Sequence, residues 1–204
     1  MAGSIQLSLL IGPGVPVPAL ADVVNALDSV QVTSSTDSSG FQLSFKIGKR
    51  SLLETTLLPA GYFDPIITRV IIIVTVNGMP NVLMDGVVTR QEISPSNDVG
   101  KSTLTITGED LSRMMDLVEM PFMRFPAMPV VARVYAILAK YAVLGIAPVA
   151  VPPIVPDMTN PLEELPSQNG TDLAYVRELA YKCRLRVLCR TGPCAGIEHR
   201  VFRA

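Results

Sequence analysis

The stretch Val70–Val76 reads VIIIVTV and consists entirely of β-branched residues, which pack well on a pleated sheet. Asn77-Gly78 follows at once, and this dipeptide is typical of a two-residue type I′ turn, which needs positive φ at both positions. Further strands are predicted over Val82–Ile93 and, after a loop, over Ser102–Thr107. Three consecutive strands with short connections indicate an antiparallel meander.

The strand Val70–Val76 is apolar on both of its faces. Such a strand would be an aggregation site if it were exposed, so we predict a central place in a barrel or sandwich, or a position against a partner subunit. We expect the sheet core or a subunit interface at these positions of the meander: Val70, Ile72, Val74, Val76, Val82, Val87, Ile93, Leu104 and Ile106.

Segments on the amino-terminal side of the meander add to the sheet. Alternating apolar and polar residues predict strands over Ser4–Ile11, Ser29–Ser34 and Phe41–Gly48. Ala19–Leu27 fits either a short helix or another extended segment. The sequence therefore predicts a β-rich first part of the chain.

Helices are predicted after the meander. Thr107-Gly108-Glu109-Asp110 resembles a capping box, and an apolar stripe follows it at Leu111, Met114, Met115 and Val118. A second helix is predicted over Val130–Tyr141, and a third begins at Thr171 as its cap. Between them, Gly145–Gln168 is rich in proline and is expected to be extended, and a domain boundary is predicted near Met120.

The composition is rich in apolar residues (49%) and poor in charged ones (17%). Average domains carry about 25% charged residues, so we expect an ordered chain with much of its surface covered by other subunits. The net charge of -1 gives no reason to predict binding to nucleic acid or an anionic membrane. A basic leader and a long apolar run are both absent, which predicts a protein made in the cytosol and not inserted into a membrane.

Candidate chemical motifs in the sequence have the wrong context. Gly100-Lys101-Ser102-Thr103 resembles the end of a phosphate loop, but Pro95 stands where the first glycine is needed and a strand pattern follows. The close pairs that mark zinc motifs are not found among Cys183, Cys189, Cys194 and His199. We therefore predict no catalytic residue, no cofactor, no metal and no enzyme.

Three motifs occur in a fixed order along the chain. The first is Phe41–Phe45 followed by Leu57–Pro65, the second runs from Met84–Arg90 to Thr107–Ser112, and the third is Gln168–Ala180. Their order and spacing resemble the hub proteins of contractile tails. This is the family of phage late-control protein D and of the head of the VgrG spike, also found in extracellular contractile injection systems.

The resemblance implies a homotrimer whose tube-like β-barrel domains, two per chain, form a pseudo-sixfold ring. This ring adapts the hexameric inner tube above to the trimeric spike below. The implied role is structural, without cofactor or turnover, and the implied partners are the inner tube protein, the spike and baseplate proteins. Assembly in the cytoplasm into a phage-tail-like particle, as part of a virion or a released particle, is also implied.

The predicted fold class is therefore β-rich α+β. Residues 1–120 are expected to form an antiparallel tube-like β-barrel with a packing helix. Residues 121–183 are expected to be a helix-containing, Pro-rich and partly extended segment of a second domain.

Residues 184–204 depart from the family pattern. Family members usually continue with an aromatic strand, whereas this chain continues with Arg184-Leu185-Arg186. One permitted codon choice for Arg184–Ala204, read one base later, encodes GYVFCVEPGPAPG, which matches the family's continuation. We hypothesise that a frameshift, in the gene or in its recorded reading, produced this tail, and the DNA across Lys182–Arg184 tests that.

Two rival functions come from other classes. A tail-associated cell-wall hydrolase would need a cleft with paired carboxylates or a metal set. A monomeric β-sandwich binding module would need neither, and its mass in solution would separate it from a ring-forming hub.

Overall fold

A computed structural model of the chain describes residues 5–35, 38–48, 51–96, 102–121, 123–126, 128–149, 166–182, 185–189 and 197–203. The chain forms two compact units, Met1–Leu111 and Ser112–Ala204. Strands dominate the first unit and the second combines helices with short strands, so the predicted β-rich α+β class is confirmed.

The first unit is built on one seven-stranded antiparallel sheet. Its strands are β1 (Ile5–Pro13), β2 (Val17–Pro18), β3 (Leu27–Ser34), β4 (Ser39–Ile47), β5 (Thr68–Val76), β6 (Met79–Ser94) and β7 (Ser102–Asp110). They lie in the order β2-β1-β5-β6-β7-β4-β3. The connections contain helix α1 (Ala21–Ala26) and a short π-helix (Leu53–Leu57).

The predicted meander is confirmed as β5, β6 and β7, which are consecutive neighbours in the sheet. Val76 pairs with Met79 across a two-residue turn. Asn77 has φ 52° and Gly78 has φ 82°, as a type I′ turn requires. β1 covers the other side of β5, so the isoleucine-rich strand has a neighbour on each side.

One face of this sheet carries the hydrophobic core. Phe41, Leu43 and Phe45 of β4 alternate with polar residues, and all three are buried. Connections between strands complete the core, because Leu53 and Phe63 from the segment before β5 are buried against the same cluster. Burial of each large apolar side chain contributes roughly 1.5–3 kcal/mol.

The helix predicted to begin at Thr107-Gly108-Glu109-Asp110 is wrong at its start. β7 continues to Asp110, and Gly108 pairs with both Phe41 and Val88. The backbone groups of this segment are used by the sheet ladder, so they are not free to begin a helix. A short 3-10 helix, Leu111–Asp116, follows instead.

Gly86 of β6 lies close to the backbone of β7. A Cβ atom at Gly86 would overlap the carbonyl oxygen of Glu109. Gly86→Ala is therefore expected to lower the free energy of unfolding by about 1–3 kcal/mol, measured by urea denaturation. Gly48→Ala is the matched control, because nothing lies within 4 Å of its Cβ position. Equal denaturation midpoints for the two variants would contradict this close approach.

The second unit contains the two helices predicted after the boundary. Helix α2 spans Val130–Ala139 and helix α3 spans Asp172–Lys182. Strands β8 (Met123–Arg124) and β10 (Ser167–Gln168) pair with each other. β9 (Ile146–Val149), β11 (Leu185–Cys189) and β12 (Ile197–Arg203) form a three-stranded sheet in the order β11-β12-β9.

The predicted extended segment Gly145–Gln168 includes β9 and β10 at its ends, and residues 150–165 lie outside the described part of the chain. Aromatic stacking contributes to the core of the second unit. The rings of Phe125 and Tyr175 are parallel to within 8°, with centroids 5.8 Å apart. Leu173, Val176 and Leu179 are the buried stripe of α3, as the helical spacing predicts.

Candidate assembly surface

The residues predicted for the sheet core or a subunit interface take three kinds of position. Those buried within the chain are Val70, Ile72, Val87, Leu104 and Ile106. Val74 and Val82 are half-buried, and Val76 and Ile93 are exposed. All nine residues lie in β5, β6 or β7, and all but Val76 and Ile93 are buried or half-buried.

A buried ion pair lies on the sheet face opposite the core. Arg69 donates from Nε and Nη2 to the two carboxylate oxygens of Asp85, each at 2.7 Å. The side chains are only 12% and 3% exposed, respectively. Bidentate charge-assisted bonds are strong and directional, so this pair ties β5 to β6.

A β-bulge makes this pair possible. Met84 pairs with Ile72 and Val82 pairs with Ile73, which leaves Leu83 as an extra residue in β6. Beyond the bulge Asp85 is opposite Ile71, on the same face as Arg69. The bulge therefore re-aims the carboxylate toward its partner.

The other half of this face is entirely polar. Three rows cross β4, β7 and β6 in register: Gln42, Thr107 and Arg90; Ser44, Thr105 and Glu92; Lys46, Thr103 and Ser94. Arg90 is 3.1 Å from Glu92, and Lys46 is ion-paired with Asp28. The charges are balanced, as expected of a sheet face in contact with water.

A second buried polar cluster lies in the second unit, around Asp172. Lys140 Nζ donates to its two oxygens at 3.2 and 3.1 Å, and the Tyr141 hydroxyl donates to Oδ2 at 2.8 Å. Gln168 Nε2 donates to Oδ1 at 2.6 Å. Asp172 itself is fully buried. One carboxylate thus joins the end of α2, β10 and the start of α3.

Burial raises the pKa of Tyr141 above its ordinary value, and the hydrogen bond to Asp172 and its negative charge act in the same direction. The phenol therefore stays protonated and remains a donor to Asp172. The adjacent Thr171 caps α3, as predicted, by accepting from Ala174 N–H at 3.2 Å. Its hydroxyl also donates to Asp116 Oδ1 at 2.8 Å.

Neither polar cluster is predicted by the sequence. For Asp85 the available signal was an acid inside an apolar strand, which needs a cationic partner when it is buried. For Asp172 the signal was an acid in the first turn of a helix, which is common at exposed helix ends as well. Neither signal identifies the partner.

Metal binding finds no support in the described ranges, where no three His, Cys, Asp or Glu side chains are grouped as a metal ion would need. Cys183, Cys194 and Gly100-Lys101 lie outside the described residues, as do the side chains of Cys189 and His199. Across the part of the chain that is described, no helix is long and apolar enough to span a membrane.

No protein-family profile and no curated protein sequence matches this chain. Solved structures do share its fold. The tail protein from Neisseria meningitidis MC58 is 14% identical, with a TM-score of 0.54, over 96% of this chain and 50% of that one. The 43 kDa tail protein of prophage MuSo2 from Shewanella oneidensis is 16% identical, with a TM-score of 0.60, over 98% and 54%.

A chain of the half-lidded Francisella PdpA–VgrG complex is also similar, at 12% identity and a TM-score of 0.54. The match covers 97% of this chain and 31% of that one. This chain therefore has the fold of phage tail proteins and of a VgrG complex, so the predicted likeness is confirmed at the level of the fold. It spans about half the length of the two tail proteins.

Proposed function

We propose that this chain is a structural hub subunit of a contractile tail or injection-system baseplate, which adapts an inner tube to a spike as a homotrimeric ring. The observation that carries this proposal is the fold shared with two phage tail proteins over 96% and 98% of the chain. The inner tube protein, the spike and baseplate proteins are the proposed partners. Their assembly takes place in the cytoplasm, and the role involves no catalytic turnover.

The proposed ring is supported by the edges of the sheet. β3 is an eight-residue strand that ends the sheet on one side. On the other side, β2 covers only Leu10 and Ile11 of the nine-residue β1. Edge strands present unpaired backbone N–H and C=O groups that can pair with another chain.

The proposed domain arrangement is based on the sheet of the first unit and its core. Residues 1–120 form a tube-like antiparallel β-barrel with a packing helix, which is supported by a core gathered on one face of the sheet. Residues 121–183 are the helical and Pro-rich beginning of a second domain, and residues 184–204 are the product of a frameshift.

Mass in solution tests the proposed ring. Sedimentation velocity and native mass spectrometry are expected to give a particle of three copies, and negative-stain images are expected to show a ring with a central opening. A monomer at every concentration would favour the β-sandwich binding module instead. Release of soluble fragments from purified peptidoglycan would favour the hydrolase.

A further inference from the structure

The sequence contains two Asn-Gly pairs, Asn77-Gly78 and Asn169-Gly170, and both asparagines are exposed. In this dipeptide the asparagine side chain is readily attacked by the next backbone nitrogen, because glycine has no Cβ to obstruct the approach. Apart from the chain neighbours, no atom of the described residues lies within 4 Å of the Cβ position of either glycine, which leaves room for the ring that this attack forms. The two sites are alike in sequence and in space, so backbone conformation decides which of them reacts.

The turn at Asn77 holds the reacting atoms apart. Asn77 has φ 52° and Gly78 has φ 82°, and in the type I′ turn that these values define the first residue has ψ of roughly +30°. At this ψ the Gly78 nitrogen lies anti to the Asn77 Cβ about the Cα–C bond, which places it far from the side-chain amide. The pairing of Val76 with Met79 maintains the turn. Attack at Asn77 therefore requires the end of the hairpin to open.

The backbone at Asn169 does not have this conformation. Among the described residues, the non-glycine residues with positive φ are Ile66 and Asn77, so Asn169 lies outside the left-handed region. It directly follows the short strand β10. With negative φ, both extended and helical ψ values bring the Gly170 nitrogen nearer to the side chain than a type I′ turn does. Attack at Asn169 therefore needs only a local rotation about its Cα–C bond.

We propose that Asn169 is a site of spontaneous modification and that Asn77, in the same dipeptide, is protected. The Gly170 nitrogen forms a bond to the carbonyl carbon of the Asn169 side chain. The side-chain nitrogen leaves as ammonia, with the proton that the Gly170 nitrogen loses. Water then opens the resulting succinimide at one of its two carbonyls, which gives aspartate or isoaspartate. No oxidant or reductant takes part, and water is the co-reactant.

The two products differ in their effect on the second unit. Aspartate at position 169 keeps the backbone unchanged, and its negative charge lies just before α3, where the helix dipole favours it. Isoaspartate instead adds one carbon to the backbone between Gln168 and Thr171. Gln168 is bonded to Asp172, and Thr171 caps α3 and is bonded to Asp116. Isoaspartate therefore displaces at least one of these contacts.

Storage of the full chain at neutral pH, followed by peptide mapping with mass spectrometry, tests this assignment. Conversion at Asn169 is expected to be at least about tenfold faster than at Asn77, because reaction at Asn77 waits for the hairpin to open. In concentrated urea the two rates are expected to become similar, since the flanking structure is lost. Asn169→Gln is the control, because its longer side chain closes the ring far more slowly, and it should form no isoaspartate at this position.

Equal rates at the two sites in the folded chain, or a faster reaction at Asn77, would overturn the assignment. Conversion of Asn169 that occurs in urea alone would overturn it as well. The structural effect is measured on the separated isoaspartate form, in which amide hydrogen exchange at the start of α3 is expected to be faster than in the wild type. Asn169→Asp should exchange like the wild type. If the isoaspartate form exchanged as slowly as Asn169→Asp, the predicted displacement would be wrong.

Discussion

Asp85→Ala is expected to lower the free energy of unfolding of the first unit by about 3–5 kcal/mol, because it leaves the Arg69 guanidinium buried without its carboxylate. The two groups are joined by two bonds of 2.7 Å and are almost wholly shielded from water. A domain is typically stable by about 5–15 kcal/mol, so this loss takes much of the margin. Urea denaturation followed by far-UV circular dichroism measures it.

Glu92→Ala is the matched control for this prediction. It removes the partner of Arg90 in an ion pair whose side chains are more than half exposed, and its expected effect is below about 1 kcal/mol. The double variant Arg69→Met, Asp85→Leu removes both charges and should recover most of the loss. If Asp85→Ala lowered the urea midpoint no more than Glu92→Ala does, the Arg69–Asp85 pair would have to be in contact with water.

The second large effect is expected at Asp172. Asp172→Ala removes the common acceptor of Lys140, Tyr141 and Gln168 in a fully buried place. We expect the second unit to lose about 1–3 kcal/mol for each buried donor left without its acceptor, Gln168 Nε2 above all. The Lys140 ammonium adds less, because its side chain is 32% exposed and can reach water. Amide hydrogen exchange locates the effect, which should appear as faster exchange in α2 and α3 than in the first unit.

Glu178→Ala is the control on the same helix. It breaks an exposed Lys182–Glu178 pair of 2.7 Å, one turn apart, and such pairs contribute about 0.2–0.5 kcal/mol. Exchange in α2 that is equally slow in Asp172→Ala and Glu178→Ala would show that Asp172 does not hold these elements together.

The parts of the fold that follow from local patterns could be predicted. A run of β-branched residues ending in Asn77-Gly78 specifies both a strand and its turn, and the alternation over Phe41–Gly48 specifies which side chains enter the core. Thr107-Gly108-Glu109-Asp110 misled because a capping pattern is local, whereas pairing of Gly108 with Phe41 depends on strands distant in the chain.

The Arg69–Asp85 pair could not be predicted because it depends on a bulge. Counting back from the turn without a bulge places Asp85 opposite Val70, on the core face. The structure places Gly86 opposite Val70, because Leu83 is an extra residue. The sequence does not reveal the bulge at Leu83. The form that can be recognised from sequence has Gly at its first position, and this bulge has no Gly there.

The Asp172 cluster could not be predicted for a different reason. Lys140 and Tyr141 are separated from Asp172 by 32 and 31 positions, on elements that meet only through tertiary packing. Helix periodicity identifies which residues of α2 and α3 turn inward, but not which residues beyond the helix end approach one another.

The bulge in β6 also affects which single-codon deletions the protein should tolerate. Leu83 has no ladder partner in β5, and a second irregularity leaves Thr89 without a ladder partner in β7, where its hydroxyl donates to the Thr107 carbonyl instead. Loss of either residue would keep every later pair on its present face, whereas loss of a paired residue would turn the rest of the strand over. Single-codon deletions in this hairpin should therefore survive selection mainly at these two sites.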